Sequence, residues 1–332
     1  MANEPEKLWD YDAVAVGQAG SETVVSITLD NIRNYALATQ HHHARYVAPD
    51  NYPKYPPVVV AMPTMVLAYA PLLRYDIAAN NGFVALEESQ QARRQTPFAK
   101  CEIRWHVPVV AGDVITGTRR VVDKYERRGS KFVTFRVEAF NQHRVKVAAC
   151  DYTYIFEYAG GRKTVPPPPA AVEDADVRPG QPVAETPCVL TFDTVSVNAP
   201  LPTLQVTESS ETINRFNDLC LAGKPSASNI HTDEAFARQN LFGGAVNAGP
   251  ATMAYVDQML ELSFPLRAFY NGGRLVMRAI EPFRAGHVVT LQGEVTTKHL
   301  EGDQRQVACT VRGTNQSGAL ICLGKAALNL PA

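Results

Sequence analysis

PVVAGDVIT at residues 108–116 and PFRAGHVVT at residues 282–290 are two copies of one pattern, placed 174 positions apart in the chain. The same spacing carries the dipeptide Asn141–Gln142 onto Asn315–Gln316 with no net insertion. Similar strand composition would explain shared valines, but it does not explain shared proline, glycine and Asn-Gln turn residues. The chain is therefore predicted to contain an internal repeat.

Each copy of the pattern is followed by segments in which apolar and polar residues alternate. Residues 131–140 (KFVTFRVEAF) and 145–158 predict two strands joined by a hairpin turn, and the second half repeats this order. Upstream, an apolar segment in each half begins with proline, Pro63 or Pro250, which is favoured at the first position of a helix. The sequence thus predicts a duplicated α+β fold, each half being a long helix wrapped by an antiparallel sheet.

Residues 160–187 have the composition of a linker, with four consecutive prolines among small and acidic residues and no periodic apolar pattern. We therefore predict an N-terminal domain at residues 1–159, a proline-rich linker at 160–188 and a C-terminal domain at 189–332. The linker is expected to lie on the surface with little regular structure, because prolines cannot donate hydrogen bonds to a sheet.

The overall composition argues against several classes of function. The chain has 32 basic and 33 acidic residues, so no global field favours nucleic acid or an anionic membrane. The first residues, MANEPEKLWDYD, do not resemble a secretion signal, and the longest apolar stretches are too short to span a membrane. The six cysteines form no Cys-x-x-Cys pair and are interpreted as reduced thiols. These features predict a cytoplasmic protein.

Residues 228–237 (SNIHTDEAFA) and 241–249 (LFGGAVNAG) resemble the hydratase motif of MaoC-like (R)-specific enoyl-CoA hydratases and 3-hydroxyacyl thioester dehydratases. In that family the motif reads Gly-Asp-x-Asn-Pro-Ile-His-x-Asp, then a helix ending in Ala, then Gly-Phe-x-x-Pro-Ile-x-His-Gly. The positions that keep the relative spacing are His231, Asp233, Ala237, Phe242 and Gly249. The resemblance implies a double hot-dog fold and a site centred on His231.

The motif departs from the family pattern at four positions. The family aspartate that pairs with the histidine falls on Ser226, the asparagine on Ser228, the proline on Asn229 and the second histidine on Ala248. Serine and asparagine cannot act as bases near neutral pH as a carboxylate does. The resemblance therefore implies a degenerate site with one of its two usual acid/base groups.

The predicted catalytic residues are His231, Ser226 and Asp218. The ordinary pKa of histidine suits His231 to act as a general acid or base. A histidine at a helix start, bonded to the backbone, is the alternative interpretation of the same residue. Asp218 is the nearest carboxylate in sequence that could replace the missing aspartate.

The predicted substrate-binding residues are Gly249, Asn229, Ser228 and Asn247. The resemblance implies that the Gly249 N–H polarises a thioester carbonyl at the start of a helix, although a tight turn could also require this glycine. Ser226, Ser228 and Asn229 are candidates for holding the catalytic water. Asp233 is instead expected to cap a helix, because a carboxylate there meets free N–H groups.

In the N-terminal half the equivalent stretch is residues 35–46 (YALATQHHHARY), and Met62 stands at the place of Gly249. The N-terminal copy is therefore predicted to be non-catalytic. His41, His42 and His43 could suggest a metal site, but adjacent side chains point in different directions and rarely share one ion. No metal is predicted.

The leading predicted function is reversible hydration of an enoyl thioester, or dehydration of a 3-hydroxyacyl thioester, with coenzyme A entering only as part of the substrate and no other cofactor. The alternatives are an acyl-thioester hydrolase and a non-catalytic acyl-thioester-binding protein that lost the aspartate, since one fold serves several chemistries. A homodimer is expected, because exposed sheet edges invite pairing. The sequence leaves open the acyl chain and the choice between CoA and acyl-carrier protein.

Overall fold

The computed structural model describes residues 5–47, 59–165, 178–225, 228–270 and 272–330. The elements of the first half, in chain order, are β1 (Leu8–Trp9), β2 (Thr23–Ser26), α1 (Leu29–Ala38), α2 (Ala44–Val47), α3 (Val66–Tyr69), α4 (Arg74–Asn80), β3 (Val84–Ala85), β4 (Phe98–Trp105), β5 (Val114–Arg127), β6 (Ser130–Phe140) and β7 (Lys146–Glu157). Those of the second half are β8 (Val183–Ala184), β9 (Pro200–Thr207), α5 (Ser210–Asn217), α6 (Glu234–Gln239), α7 (Gly249–Glu261), β10 (Arg274–Ala279), β11 (Val288–Glu301), β12 (Gln304–Asn315) and β13 (Leu320–Asn329). Short 3-10 turns lie at Pro63–Met65 and Leu266–Ala268.

The two halves are joined in one eleven-stranded sheet with the order β2-β5-β6-β7-β4-β10-β13-β12-β11-β9-β8. All pairs in this sheet are antiparallel, and the halves meet where β4 pairs with β10. One hydrophobic core runs through both halves, from Val25 beside β5 to Leu330 after β13. The sheet is therefore the element that fixes how the two copies face each other.

The strands of the two halves repeat with the spacing seen in the sequence. The first residues of β5 and β11, Val114 and Val288, are 174 positions apart. The side chains of Gln142 and Gln316 accept the N–H groups of Val114 and Val288 at 3.1 and 2.9 Å. These repeated turn residues fix the same strand start twice, and the predicted duplicated α+β fold is confirmed.

The helices that precede the sheet strands also start in the same way in both halves. Thr28 caps α1 and Ser209 caps α5, and each side chain accepts the N–H of the third helical residue, Asn31 or Thr212. The side chains of Asn31 and Thr212 bond back to the cap, which completes a capping box.

The central helix of each half has a different length. In the second half, α7 has 13 residues and most of them are buried. In the first half the helix is shorter than predicted, because α3 ends at Tyr69 and Pro71 follows two positions later. Proline has no N–H and disfavours helical backbone at the residue before it. In the described part of the chain, no helix is long and apolar enough to cross a membrane.

The described parts of the predicted linker lie on the surface and contact both halves. The proline run itself falls in residues 166–177, outside the described residues. After it, Gly180 donates its N–H to the Gln40 side chain at 2.9 Å, and its carbonyl lies 2.5 Å from His42 Nε2. The two residues of β8 then pair with β9. This segment therefore docks on the domains instead of spanning free space.

Candidate active site

A pocket of about 260 Å³ opens where the two halves meet, beside the N-terminus of α7. Its lining from the second half includes His231, Asn247 and Gly249. Its lining from the first half includes Phe98 of β4 and Phe132 of β6. The site is thus built from both copies of the repeat, although the sequence motif lies in one of them.

His231 is held by its Nδ1 atom, which lies 2.9 Å from the carbonyl oxygen of Val246. A carbonyl can only accept, so the neutral imidazole carries its proton on Nδ1 and keeps a lone pair on Nε2. Among the described residues Nε2 has no hydrogen-bond partner, and the residue lines the pocket. The backbone bond and the pocket-facing position therefore occur together, and one does not exclude the other.

The environment of His231 favours the neutral imidazole. Burial lowers the pKa of His231, the bond to Val246 offsets part of this effect, and the positive charge of Arg74 lowers the pKa further. Arg74 comes from α4 of the first half, where it is buried and paired with Glu87 at 2.9 Å. A histidine kept neutral is ready to accept a proton at physiological pH.

Asn229 shapes the turn that presents His231. Its Oδ1 accepts the N–H groups of His231 and Thr232 at 2.8 and 3.2 Å, and its Nδ2 donates to Asn217 at 2.7 Å. Asn229 is buried and is not part of the pocket lining. The structure therefore gives it a positioning role in place of the predicted contact with water or substrate.

Asp233 caps α6, as expected from the sequence. Its Oδ1 accepts the N–H of Phe236 at 2.9 Å, and the Ser228 hydroxyl donates to its Oδ2 at 2.6 Å. These bonds lower the pKa of Asp233 and keep it ionised. Ser228 is thus engaged with the cap and does not line the pocket, so its predicted contact with the substrate is not seen.

Gly249 is the first residue of α7 and precedes Pro250. The first N–H groups of a helix have no partner within the helix, and among the described residues the Gly249 N–H has none elsewhere. A Cβ atom on Gly249 would lie 2.4 Å from the Phe98 ring. Glycine is required here by the close approach of that ring, and the helix start remains available to an oxygen atom of a ligand.

Asn247 lines the pocket, and in the sequence it lies between His231 and Gly249. Its backbone N–H donates to the carbonyl of Phe283 at 2.6 Å, which ties the loop to the segment after β10. Its side-chain Nδ2 is buried and has no hydrogen-bond partner among the described residues. A buried donor without a partner lowers the stability of the folded protein unless a ligand or a water molecule accepts its hydrogen bond.

The structure does not bring every predicted residue to the pocket. Asp218 is the C-cap of α5, has an exposed side chain and does not line the pocket, so the sequence neighbour is not a spatial partner of His231. Ser226 lies outside the described residues, and its role stays a prediction.

The rim of the pocket carries an ion pair that the sequence did not indicate. Lys163 Nζ lies 3.0 Å from Glu281 and donates to the carbonyl of Ile280 at 3.2 Å. Glu281 is the carboxylate of the pocket lining, and it directly precedes the repeated PFRAG segment. Lys163 comes from the predicted linker, where no local pattern distinguishes it from a solvated lysine.

The corresponding place in the first half is filled by protein side chains. Met62 is 1% exposed, and the N–H and hydroxyl of Thr64 donate to Asp257 of α7 at 3.0 and 2.7 Å. A carboxylate from the second half therefore accepts the Thr64 N–H in the 3-10 turn that precedes α3.

The three consecutive histidines of the first half face three different surroundings. His41 is buried 3.6 Å from Glu261, His42 contacts Gly180, and His43 Nδ1 accepts the N–H of Arg45 at 3.2 Å. Across the described ranges, no three His, Cys, Asp or Glu side chains are grouped so that they could hold a metal ion.

Comparison with known proteins supports the fold. Residues 14–150 match the family model described as FAS1-like, dehydratase domain region. A solved structure of a MaoC-like dehydratase aligns with TM-score 0.65 and 18% identity, covering 95% of this chain and 98% of that chain. A MaoC-like dehydratase from Phytophthora capsici aligns with TM-score 0.60 and 12% identity, covering 96% and 98%.

A third solved structure carries the name of the fold itself. A protein from Mycobacterium tuberculosis described as having a double hot-dog fold aligns with TM-score 0.57 and 13% identity, covering 96% of this chain and 98% of that chain. A search among curated proteins found no match. The chain thus has the double hot-dog fold of MaoC-like dehydratases, and the resemblance predicted from the motif is confirmed at this level.

Proposed function

We propose that this double hot-dog protein catalyses the reversible hydration of an enoyl thioester, which in reverse is the dehydration of a 3-hydroxyacyl thioester. One observation carries the proposal. Val246 holds the His231 imidazole through Nδ1, so Nε2 stays available to a ligand, and the N-terminus of α7 at Gly249 lines the same pocket. The match to a dehydratase family model and the fold of MaoC-like dehydratases support the same reaction class.

In the dehydration direction, Nε2 of neutral His231 accepts the proton from the α-carbon. The electrons of that C–H bond form the new double bond, and the hydroxyl on the β-carbon leaves. The imidazolium returns the proton to the departing hydroxyl, which is released as water, and the neutral imidazole is regenerated. One histidine can serve both transfers when the hydrogen and the hydroxyl lie on the same face of the substrate.

The N-terminus of α7 would stabilise the charge that develops during this reaction. Removal of the α-proton places negative charge on the thioester oxygen, and the Gly249 N–H and the positive end of the helix dipole are suited to receive it. The thioester carbonyl itself acidifies the α-hydrogen, so the chemistry needs neither a redox cofactor nor a metal.

Asn247 is the polar side chain that we assign to the leaving hydroxyl or the attacking water. It lines the pocket, and its Nδ2 is an unpartnered donor within the described residues. An amide can hold a hydroxyl oxygen but cannot transfer a proton near neutral pH. His231 would therefore make both proton transfers, and Asn247 would orient the leaving hydroxyl or the attacking water.

The decisive experiment replaces His231 by alanine and measures hydration of a panel of enoyl-CoA thioesters. We expect the rate to fall by at least about a hundredfold, because a positioned acid/base group contributes about 10²- to 10⁴-fold. His299→Ala is the matched control, since His299 is exposed on β11 and lies outside the pocket lining. Thermal unfolding of both variants should stay close to that of the parent protein.

The same panel separates the two alternatives. A folded His231→Ala variant with near-normal hydration would contradict the mechanism. Release of free CoA without hydration would instead identify a thioester hydrolase. Tight binding of acyl-CoA with no turnover, unchanged by His231→Ala, would identify a non-catalytic binding protein.

A further inference from the structure

The pocket has a polar rim and an apolar interior, which sets the direction in which an acyl thioester must enter. Lys163 and Glu281 form the rim, where the Glu281 side chain is 49% exposed. Buried apolar residues such as Phe283 and Ile321 line the interior. A large anionic carrier is best solvated outside the rim, so the acyl group of the proposed substrate lies inside.

The Phe98 ring lies beside Gly249, where the thioester carbonyl of the proposed substrate would bind. Its ring atoms lie 2.4 to 2.8 Å from the position of a Cβ on Gly249, which places the ring in contact with the Gly249 Cα. A carbonyl bonded to the Gly249 N–H would therefore lie beside this ring. Acyl carbons that extend from the carbonyl on this side would contact the ring.

A β-bulge directs Phe98 into the pocket. Consecutive residues of a regular strand point to opposite faces, yet both Phe98 and Ala99 line the pocket. The register of β4 against β7 shifts between Phe98 and Lys100, so Ala99 is an extra residue in the strand. Bulges of this kind re-aim side chains beside functional sites.

The Phe98 ring is braced from behind by a stack within the first half. It packs edge-on against Tyr154 with centroids 6.0 Å apart, and the Arg74 guanidinium lies 4.0 Å over the Tyr154 ring. Arg74 is buried and held by Glu87. This stack keeps the Phe98 ring from turning aside to admit a longer ligand.

We propose that Phe98 is the specificity-determining residue of this pocket, and that its ring, packed against Tyr154, restricts the acyl group to short chains. This inference rests on the proposed function, because it takes the Gly249 N–H as the carbonyl site. The pocket volume of about 260 Å³ is below the range of about 300–1,000 Å³ that is usual for drug-sized ligands, which agrees with a short acyl group.

The test compares Phe98→Ala with the parent protein on crotonyl-CoA and an octenoyl-CoA. We expect the ratio of kcat/KM for the longer over the shorter substrate to rise by at least about tenfold, since even one methylene in an apolar pocket is worth about 10- to 200-fold. Phe140→Ala is the matched control: Phe140 is a half-buried ring of β6 that lies outside the pocket lining. Its ratio should not change. Phe98→Leu, a smaller change, should give an intermediate ratio and remains informative if Phe98→Ala does not fold.

Binding of saturated thioesters separates this inference from the proposed function. The parent protein should bind butyryl-CoA more tightly than octanoyl-CoA, and Phe98→Ala should reverse or erase that preference, whether or not either protein hydrates an enoyl thioester. Selective binding without hydration would count against the proposed function alone. A parent that prefers the octanoyl chain, or a preference that neither Phe98 variant changes, would overturn the role of Phe98.

Discussion

At the scale of single residues, Gly249 is the position where the pocket leaves no room for a side chain. A methyl group there would lie 2.4 Å from Cδ1 and 2.5 Å from Cγ of Phe98, closer than carbon atoms approach in proteins. Rotation of the ring about χ2 leaves Cγ in place, so a ring flip cannot relieve the contact. The constraint on Gly249 thus comes from the other half of the molecule.

We predict that Gly249→Ala lowers the free energy of unfolding by about 1–3 kcal/mol, the usual cost of overpacking. In a Phe98→Ala background the same change should cost less than about 0.5 kcal/mol, because the methyl group then has space. Urea unfolding of the two single variants and the double variant measures this coupling. Gly244→Ala is the control, since its nearest neighbour, Arg284 Nη1, would lie 3.3 Å away. Equal costs in both backgrounds would show that Phe98 is not the obstacle.

The sequence could predict some of these residues and not others. The motif placed His231 and Gly249 correctly in one pocket, because relative spacing within a loop and a helix is a local property. It could not predict Phe98, which is far away in sequence and reaches Gly249 only through the pairing of β4 with β10 and the bulge at Ala99. Asp218 shows the converse: it is near His231 in sequence, but it ends α5 with an exposed side chain and does not line the pocket.

At the scale of elements, the turn that carries His231 is fixed from both of its ends. Asn229 accepts the N–H of His231 itself, whereas Asp233 caps α6 after the turn. Both side chains hold the turn through hydrogen bonds, but only that of Asn229 bonds to His231. Their replacement therefore distinguishes positioning of the imidazole from general stability.

We predict that Asn229→Ala and Asp233→Ala each lower the free energy of unfolding by about 1–2 kcal/mol, by loss of buried hydrogen bonds and of a helix cap respectively. The hydration rate at saturating substrate should fall by at least about tenfold in Asn229→Ala and by less in Asp233→Ala, because a small displacement of a catalytic group is costly. Steady-state kinetics and urea unfolding of both variants check this. Equal kinetic losses at equal stability would show that the turn has no specific positioning role.

The sequence predicts the secondary structure correctly where local turn and capping residues favour the same elements as the tertiary packing. The repeated Asn-Gln turns and capping residues fix strand and helix starts within a few positions, so both halves could be predicted from their own residues. The short helix of the first half could be anticipated only by giving Pro71 more weight than the apolar pattern. The Asp257 carboxylate, which bonds to Thr64 in the 3-10 turn before this helix, comes from α7 and has no signal in the first half.

At the scale of the whole molecule, a buried polar network ties the two halves and the segment after the proline run together. Gln40, from the first half, donates to Glu208 at 3.1 Å and to Tyr255 at 3.0 Å, and accepts the N–H of Gly180. Gln40 has a φ of 56°, a backbone conformation that non-glycine residues rarely adopt. The network therefore holds a strained residue at the junction of all three segments.

Glu208 is the titratable group of this network, and its protonation should couple stability to pH. Burial raises the pKa of Glu208 to about 7, although hydrogen bonds from Thr212, Tyr255 and the Ser209 N–H act in the opposite direction. In the unfolded chain the pKa returns towards the ordinary value of 4.5. Between these values the folded protein binds more protons than the unfolded chain, so stability falls as pH rises. The contribution of Glu208 to the free energy of unfolding is fully present below about pH 4.5 and is lost as the pH rises through about 7.

We therefore predict that the parent protein loses about 1–3 kcal/mol of unfolding free energy between about pH 5 and about pH 8 through this group. Glu208→Gln cannot ionise and should remove that part of the pH dependence, while keeping a side chain of the same shape for Gln40 and Tyr255. Glu211→Gln is the matched control, because Glu211 lies on the adjacent helix α5 with a side chain that is 79% exposed. Urea unfolding of the three proteins across this pH range gives the comparison. If the parent and Glu208→Gln lose stability in parallel, the network does not bury a protonated carboxyl group.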